Sequence, residues 1–271
     1  MPSLTMTLPH HLGAVYKLSN HVSPFHTMSR VSFFTVSEKG LRDNNEDSCC
    51  AERIGDCFVF AVADGLGGNA CGEVASSIAI ACLKNAVKFY DGDFTTILRD
   101  AVSDADEQIL AQAEKSPEKQ GMATTLIAAC VGDDLHCTII NVGDSRAHII
   151  SQDEVITTKD HSVVNDLVEL GKITPDEAWQ HPLSHVLSQA LGDPDGDVKP
   201  DFYEVNLRDT FLLLSSDGMH DYVRKERICE IVRANGENIE KSCRDLAAEA
   251  LSAGSEDNIT VVLAYGAGSP S

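Results

Sequence analysis

Residues 58–63 read Phe58-Val59-Phe60-Ala61-Val62-Ala63, an unbroken apolar run that stops at Asp64. An apolar run this short, ended by a charge and a glycine turn, reads as a buried strand. Gly65-Leu66-Gly67-Gly68 follows, and then a predicted helix from about 72 to 89. A second helix is predicted from about 94 to 114, where Phe94, Ile97, Leu98, Ala101, Val102, Ala105 and Ile109 keep an i, i+3, i+4, i+7 rhythm. Strand-like runs come next at 123–131, 135–142 and 146–150, the first two joined by the turn Gly132-Asp133-Asp134.

Residues 160–195 are mixed, helical in places and punctuated by Pro175, Pro182 and Pro194. Strands are predicted again at 202–207 and 210–216, helices at about 224–234 and 238–252, and a closing strand at 259–265. Hairpins with segregated helix pairs argue an α+β fold with antiparallel sheets rather than a doubly wound parallel sheet. With no internal repeat and no linker, 31–266 is expected to be a single domain. Residues 1–30 lack periodicity and are expected to be a disordered N-terminal extension, or Met28 is the true start.

The 271 residues carry 21 Lys+Arg against 42 Asp+Glu, a net charge of −21 that disfavours nucleic acid and anionic membrane surfaces as partners. No apolar run approaches the roughly 18 residues a membrane span needs, and no signal peptide is evident. The nine cysteines form no Cys-x-x-Cys pair, and several sit in apolar runs such as Ile80-Ala81-Cys82-Leu83. Reduced, buried thiols in a cytoplasmic protein are the expectation.

Acidic motifs recur where apolar runs meet turns: Asn45-Glu46-Asp47, Asp64-Gly65, Gly143-Asp144-Ser145-Arg146 and Ser216-Asp217-Gly218, with Glu256-Asp257-Asn258 before the last strand. Each aspartate alone would be an ordinary turn former or solvated charge. Strand ends that converge would crowd the carboxylates together, and crowded carboxylates need cations. Oxygen ligands without a Cys/His cluster select Mg²⁺ or Mn²⁺ over Zn²⁺.

In order along the chain, Arg42 to Asp47, Asp64 to Gly68, Gly121 to Thr125, Val142 to Arg146, Ser216 to Gly218 and Asp257-Asn258 resemble the motifs of the metal-dependent serine/threonine protein phosphatases (PPM, type 2C), particularly compact bacterial members. The resemblance covers roughly 31–266 and implies a four-layer α/β/β/α sandwich, two antiparallel sheets flanked by helix pairs. It implies that Asp64 bridges two metals, with the Gly65 carbonyl on one and Asp217 and Asp257 on the other. Glu46 and Asp47 would act largely through waters, Asp144 with Asp217 would hold the third metal of bacterial members, and Arg42 would clamp the substrate phosphate.

The implied reaction is hydrolysis of phosphoserine and phosphothreonine by a water between two metals, in line and without a phosphoenzyme. Phosphorylated proteins and a Ser/Thr kinase are the implied partners, the chain acting as a monomer. The segment 160–195 looks like the flap beside the active site in bacterial members. Where animal members have a histidine proposed as general acid, this chain has Leu66, so a metal-bound water or another residue such as His161 must protonate the leaving group.

Other readings compete. Gly65 to Ala70 fits a dinucleotide pattern, but Asp64 would repel the pyrophosphate. Asp193, Asp195, Asp197 and Glu204 match four positions of a Ca²⁺ loop whose required glycine is Val198, so a solvated turn is expected. Cys71 at a helix start would have a stabilised thiolate, yet the sequence gives no reason for covalent catalysis. A non-catalytic phosphoprotein binder and a phosphatase of small metabolites stay open.

Overall fold

The computed structural model describes residues 30–67, 71–89 and 92–268. The chain opens with β1 (Arg30–Glu38), β2 (Ser48–Ile54), β3 (Cys57–Ala63), β4 (Gly65–Leu66), α1 (Gly72–Phe89) and α2 (Phe94–Lys115). Next come β5 (Ala123–Thr124), β6 (Leu126–Val131), β7 (His136–Val142), β8 (Arg146–Ile150), β9 (Val155–Thr157), α3 (Val163–Glu169) and α4 (Pro175–Trp179). It closes with β10 (Asp201–Asn206), β11 (Thr210–Ser215), α5 (Asp217–His220), α6 (Lys225–Asn235), α7 (Ile239–Ser252) and β12 (Ile259–Ala267).

Two five-stranded antiparallel sheets result, ordered β1-β12-β11-β8-β9 and β10-β7-β6-β3-β2. The unbroken run at 58–63 has its reason in the layering, since β3 is buried on both faces. Val59, Ala61 and Ala63 pack under α1 and α2, while Phe58, Phe60 and Val62 fill the layer between the sheets. The sheet that holds β11 repeats the alternation: Leu212 and Leu214 face the inter-sheet layer, and Leu213 faces α6 and α7. Three apolar layers therefore separate four structural ones, the α/β/β/α order expected.

The run at 123–131 is two strands rather than one. Ala123–Thr124 leave the main ladder to pair with Gly65–Leu66, and β6 resumes at Leu126. The strand expected from 135 starts one residue later, because Leu135 adopts a left-handed φ of 68° in the hairpin turn. The dinucleotide reading fails on the antiparallel pairing of β3, and its Gly68, Asn69 and Ala70 lie outside the described residues. So do residues 1–29 of the expected extension.

None of the nine cysteines is in a disulfide, and all but Cys49 are buried. Among the described residues no helix is long and apolar enough to cross a membrane. The inter-sheet layer is centred on Phe60, fully buried with its ring edge-on to Phe33 at 5.3 Å. Phe60→Ala is expected to cost about 3–5 kcal/mol of stability, read as a lower urea midpoint at unchanged slope.

Candidate active site

Strand register brings the acidic motifs together. The β2–β3 ladder runs to Ser48 opposite Ala63, and its next step sets Asp47 against Asp64. The β11–β8 ladder ends with Ser215 opposite Arg146, and continuing that register sets Asp217 against Asp144. Hydrogen bonds then sew the two rims together: Ser216 Oγ donates to Asp47 Oδ2 (2.8 Å) and the Glu46 amide donates to Asn258 Oδ1 (2.7 Å). Asn258 in turn donates to the carbonyls of Lys39 and Asn44 (2.8 and 2.9 Å), fixing the loop that carries Arg42 and Glu46.

Two glycines make the close approach sterically possible. A Cβ on Gly72 would lie 2.5 Å from Glu46 Oε2 and 2.7 Å from the Gly65 carbonyl oxygen, so the start of α1 can rest there only without a side chain. A Cβ on Gly218 would meet the Asn258 carbonyl oxygen at 2.0 Å.

The assembled carboxylates raise one another's pKa. Burial first, then the charges of Asp47, Asp217 and Asp144, push Asp64 well above the usual carboxylate range. Asp144 is pushed the same way by burial and then by Asp217. Burial moves Asp47 up to about 7 despite hydrogen bonds from Thr260 and Ser216. Asp217 rises through burial and Asp257, and Glu46 rises through burial although Arg42 opposes it.

Little positive charge answers them. Arg42 Nη2 lies 2.6 Å from Asp257 Oδ2, with its side chain 61% exposed at the rim. Arg146 is taken up by Asp160 in a two-pronged pair at 2.8 and 2.6 Å. Asp47 Oδ1 is buried with no hydrogen-bond partner. An all-oxygen cage with an orphaned buried oxygen and excess negative charge fits a hard divalent cation.

A family model described as Protein phosphatase 2C matches residues 23–259. The chain belongs to that family. It is 37% identical over 231 residues to the serine/threonine protein phosphatase PstP of Mycobacterium tuberculosis, matching 84% of this chain but only 43% of PstP's length. It is 35% identical over 240 residues to the serine/threonine phosphatase stp of Listeria monocytogenes, covering 85% of this chain and 93% of that one. A solved PstP catalytic domain in complex with two manganese ions superposes with a TM-score of 0.77 at 34% identity, over 89% of this chain and all of that one.

In this 2C-family chain Arg42, Glu46 and Asp257 form one end of the cluster, and Asp47, Asp64 and Asp217 its middle. Asp144 lies at the other end, where the structure adds two residues that the sequence analysis missed. Asp221 is pushed up to about 6 by burial and then by Asp217. His185 Nδ1 lies 4.0 Å from Asp221 Oδ2. Asp221 follows Asp217 by one helical turn, a spacing visible in the sequence, whereas nothing marked His185.

His161 has a structural task instead of a free ring. Its Nδ1 accepts from the Gly143 amide at 3.2 Å, and its Nε2 lies 3.3 Å from Asp201 Oδ2. That arrangement ties the root of the 160–195 segment to the end of β7. Cys71 is buried, its thiol 2.7 Å from the Glu118 carbonyl oxygen. Glu204 sits on β10 bonded to Thr138 Oγ1 (3.0 Å) and close to His136 Nε2 (2.8 Å), apart from any loop formed by Asp193, Asp195 and Asp197.

Because Asp47 is pushed up to about 7 and Asp221 to about 6, a cation binding the cluster competes with protons for these carboxylates. Metal affinity is expected to climb as pH rises through 6 to 7 and to level off above. Mn²⁺ titration calorimetry in buffers of different ionisation enthalpy should register proton release at pH 6 that fades by about pH 8.

Proposed function

We propose that this chain is a divalent-metal-dependent protein phosphatase hydrolysing phosphoserine and phosphothreonine. The observation that carries the reading is the convergence of Asp47, Asp64, Asp144 and Asp217 from the ends of both sheets into a cage short of positive charge. Family membership and the two manganese ions of the PstP domain support it.

Asp64 would hold two ions together with the Gly65 carbonyl, Asp217 and Asp257, while Glu46 and Asp47 act through intervening waters. Asp144 with Asp217 would hold a third. Mg²⁺ or Mn²⁺ there supplies Lewis acidity, neutralising phosphoryl oxygens and providing a nucleophilic water at neutral pH. Ser216 and Thr260 keep Asp47 oriented, and Asn258 keeps the Arg42–Glu46 loop in register. Arg42, paired with Asp257 and with its side chain 61% exposed, is placed to bind the phosphate as it arrives. Leu66 offers no proton, so the leaving oxygen takes its proton from water.

The substrates would be phosphorylated proteins and the partner a Ser/Thr kinase, met in the cytoplasm by a monomer whose 160–195 segment serves as a flap over a single 31–266 domain. A net charge of −21 argues against nucleic acid as substrate.

Phosphate release from a phosphothreonine peptide tests the reading. It is expected with Mn²⁺, to stop with EDTA, and to fall at least about a hundredfold in Asp64→Asn and Asp217→Asn while near-UV circular dichroism is unchanged. Full activity in Asp64→Asn would sink the metal assignment. Arg42→Ala should raise KM about tenfold with a smaller effect on kcat, the signature of lost phosphate binding. No release by folded, metal-loaded protein would point to a non-catalytic binder or a small phosphorylated metabolite.

A further inference from the structure

We propose that the groove between the β2 edge and α1 binds the polypeptide of the substrate: an extended stretch beside the phosphorylated residue pairs with β2 as an added strand, with a lysine or arginine of that stretch against Glu73. The proposal rests on the phosphatase reading above and deepens it, naming where the protein part of the substrate lies.

The groove begins at the catalytic carboxylates. One hollow of about 590 Å³ has Asn45, Asp47, Ser48, Glu73, Ser77 and Ala81 in its lining. A second, of about 450 Å³, shares Ser48, Ser77 and Ala81 with it and runs on to Lys84 and Asn85. The α1 wall is low, because the helix turns the small side chains of Ser77 and Ala81, one turn apart, towards solvent. Ser48 Oγ lies 2.9 Å from Ser76 Oγ and 3.4 Å from Ser77 Oγ, which ties the start of β2 to that wall. From Glu73 to Asn85 the helix rises about 18 Å, room for about five residues of extended chain.

The other wall offers backbone. β2 closes its sheet, with β3 on one side and, among the described residues, no strand on the other. An edge strand presents unpaired N–H and C=O groups that a partner's extended chain can take up. Charged side chains are a common guard on such edges. Here Glu52 and Arg53 stand in the half of β2 far from the site, while Ser48-Cys49-Cys50-Ala51, nearest to it, carries no charge.

Charge sets the sequence preference. Glu73 is exposed and shares the first hollow with Asp47, whereas Lys84 at the far end is paired with Glu52 at 2.6 Å. A chain of net charge −21 also repels an acidic phosphopeptide as a whole, so a basic residue beside the phosphate gains most.

Steady-state kinetics of the whole chain with Mn²⁺ test this, comparing p-nitrophenyl phosphate, which has no polypeptide, with phosphothreonine peptides flanked by lysine or by glutamate. Expected is a lower KM for the lysine-flanked peptide. Ala81→Trp, which fills the groove from an exposed position, should raise the KM of both peptides at least about tenfold and leave hydrolysis of p-nitrophenyl phosphate unchanged. Glu73→Lys should reverse the order of the two peptides. Methylating the peptide's amides one at a time should raise KM at alternate positions, the period of a strand edge. Peptide KM unmoved by Ala81→Trp, or a loss shared equally with p-nitrophenyl phosphate, overturns the groove assignment and leaves the phosphatase reading intact. No phosphate released from any of these substrates by the folded, metal-loaded chain overturns both.

Discussion

Carboxylates from five separate motifs are held within reach of one another by the hydrogen bonds of antiparallel ladders, against their mutual repulsion. Two like charges about 4 Å apart repel by roughly 4 kcal/mol at an effective dielectric constant near 20, while a whole domain is stable by only about 5–15 kcal/mol. Burial and this crowding push Asp47, Asp64 and Asp144 above the usual carboxylate range. The two buried imidazoles add no charge: burial drives His148 down to about 3 and His220 well below its usual range. The ladders impose the crowding, and cations relieve it.

The four layers follow from the same constraint. A strand end can aim an aspartate at a fixed point only if the strand itself cannot shift, and β3 and β6 are fully buried on both faces. The outer helices complete that burial, α1 and α2 over one sheet, α6 and α7 over the other. The site then lies where the two sheets' rims meet, sewn together by hydrogen bonds of Ser216 and Asn258.

Much of this was legible because strong local signals and tertiary demands agree. The apolar run at 58–63, the heptad-like rhythm of α2 and the Gly132-Asp133-Asp134 turn each have one structural solution. β1 and β2 were harder to read, since each is an edge strand and much of each is only half-buried, which mixes the pattern. The split at Thr125 was invisible, because it depends on Ala123–Thr124 finding Gly65–Leu66 across the fold. Motif order marked Asp64, Asp144 and Asp217, but only strand register shows that Asp47 faces Asp64. Contacts of His185 depend on the path of a segment with weak periodicity, so no sequence signal pointed to it.

The 160–195 segment is tied at both ends. Arg146 grips Asp160 with two hydrogen bonds where the segment begins, and Leu191 pairs with Thr124 where it returns. In polymer terms the chain between is a closed loop whose ends are fixed by the scaffold, so its entropy depends only logarithmically on its length. Doubling such a loop costs about 0.6 kcal/mol, less than one buried methylene. The segment can therefore be lengthened, shortened or rewritten over evolutionary time while the aspartates at the strand ends keep their places.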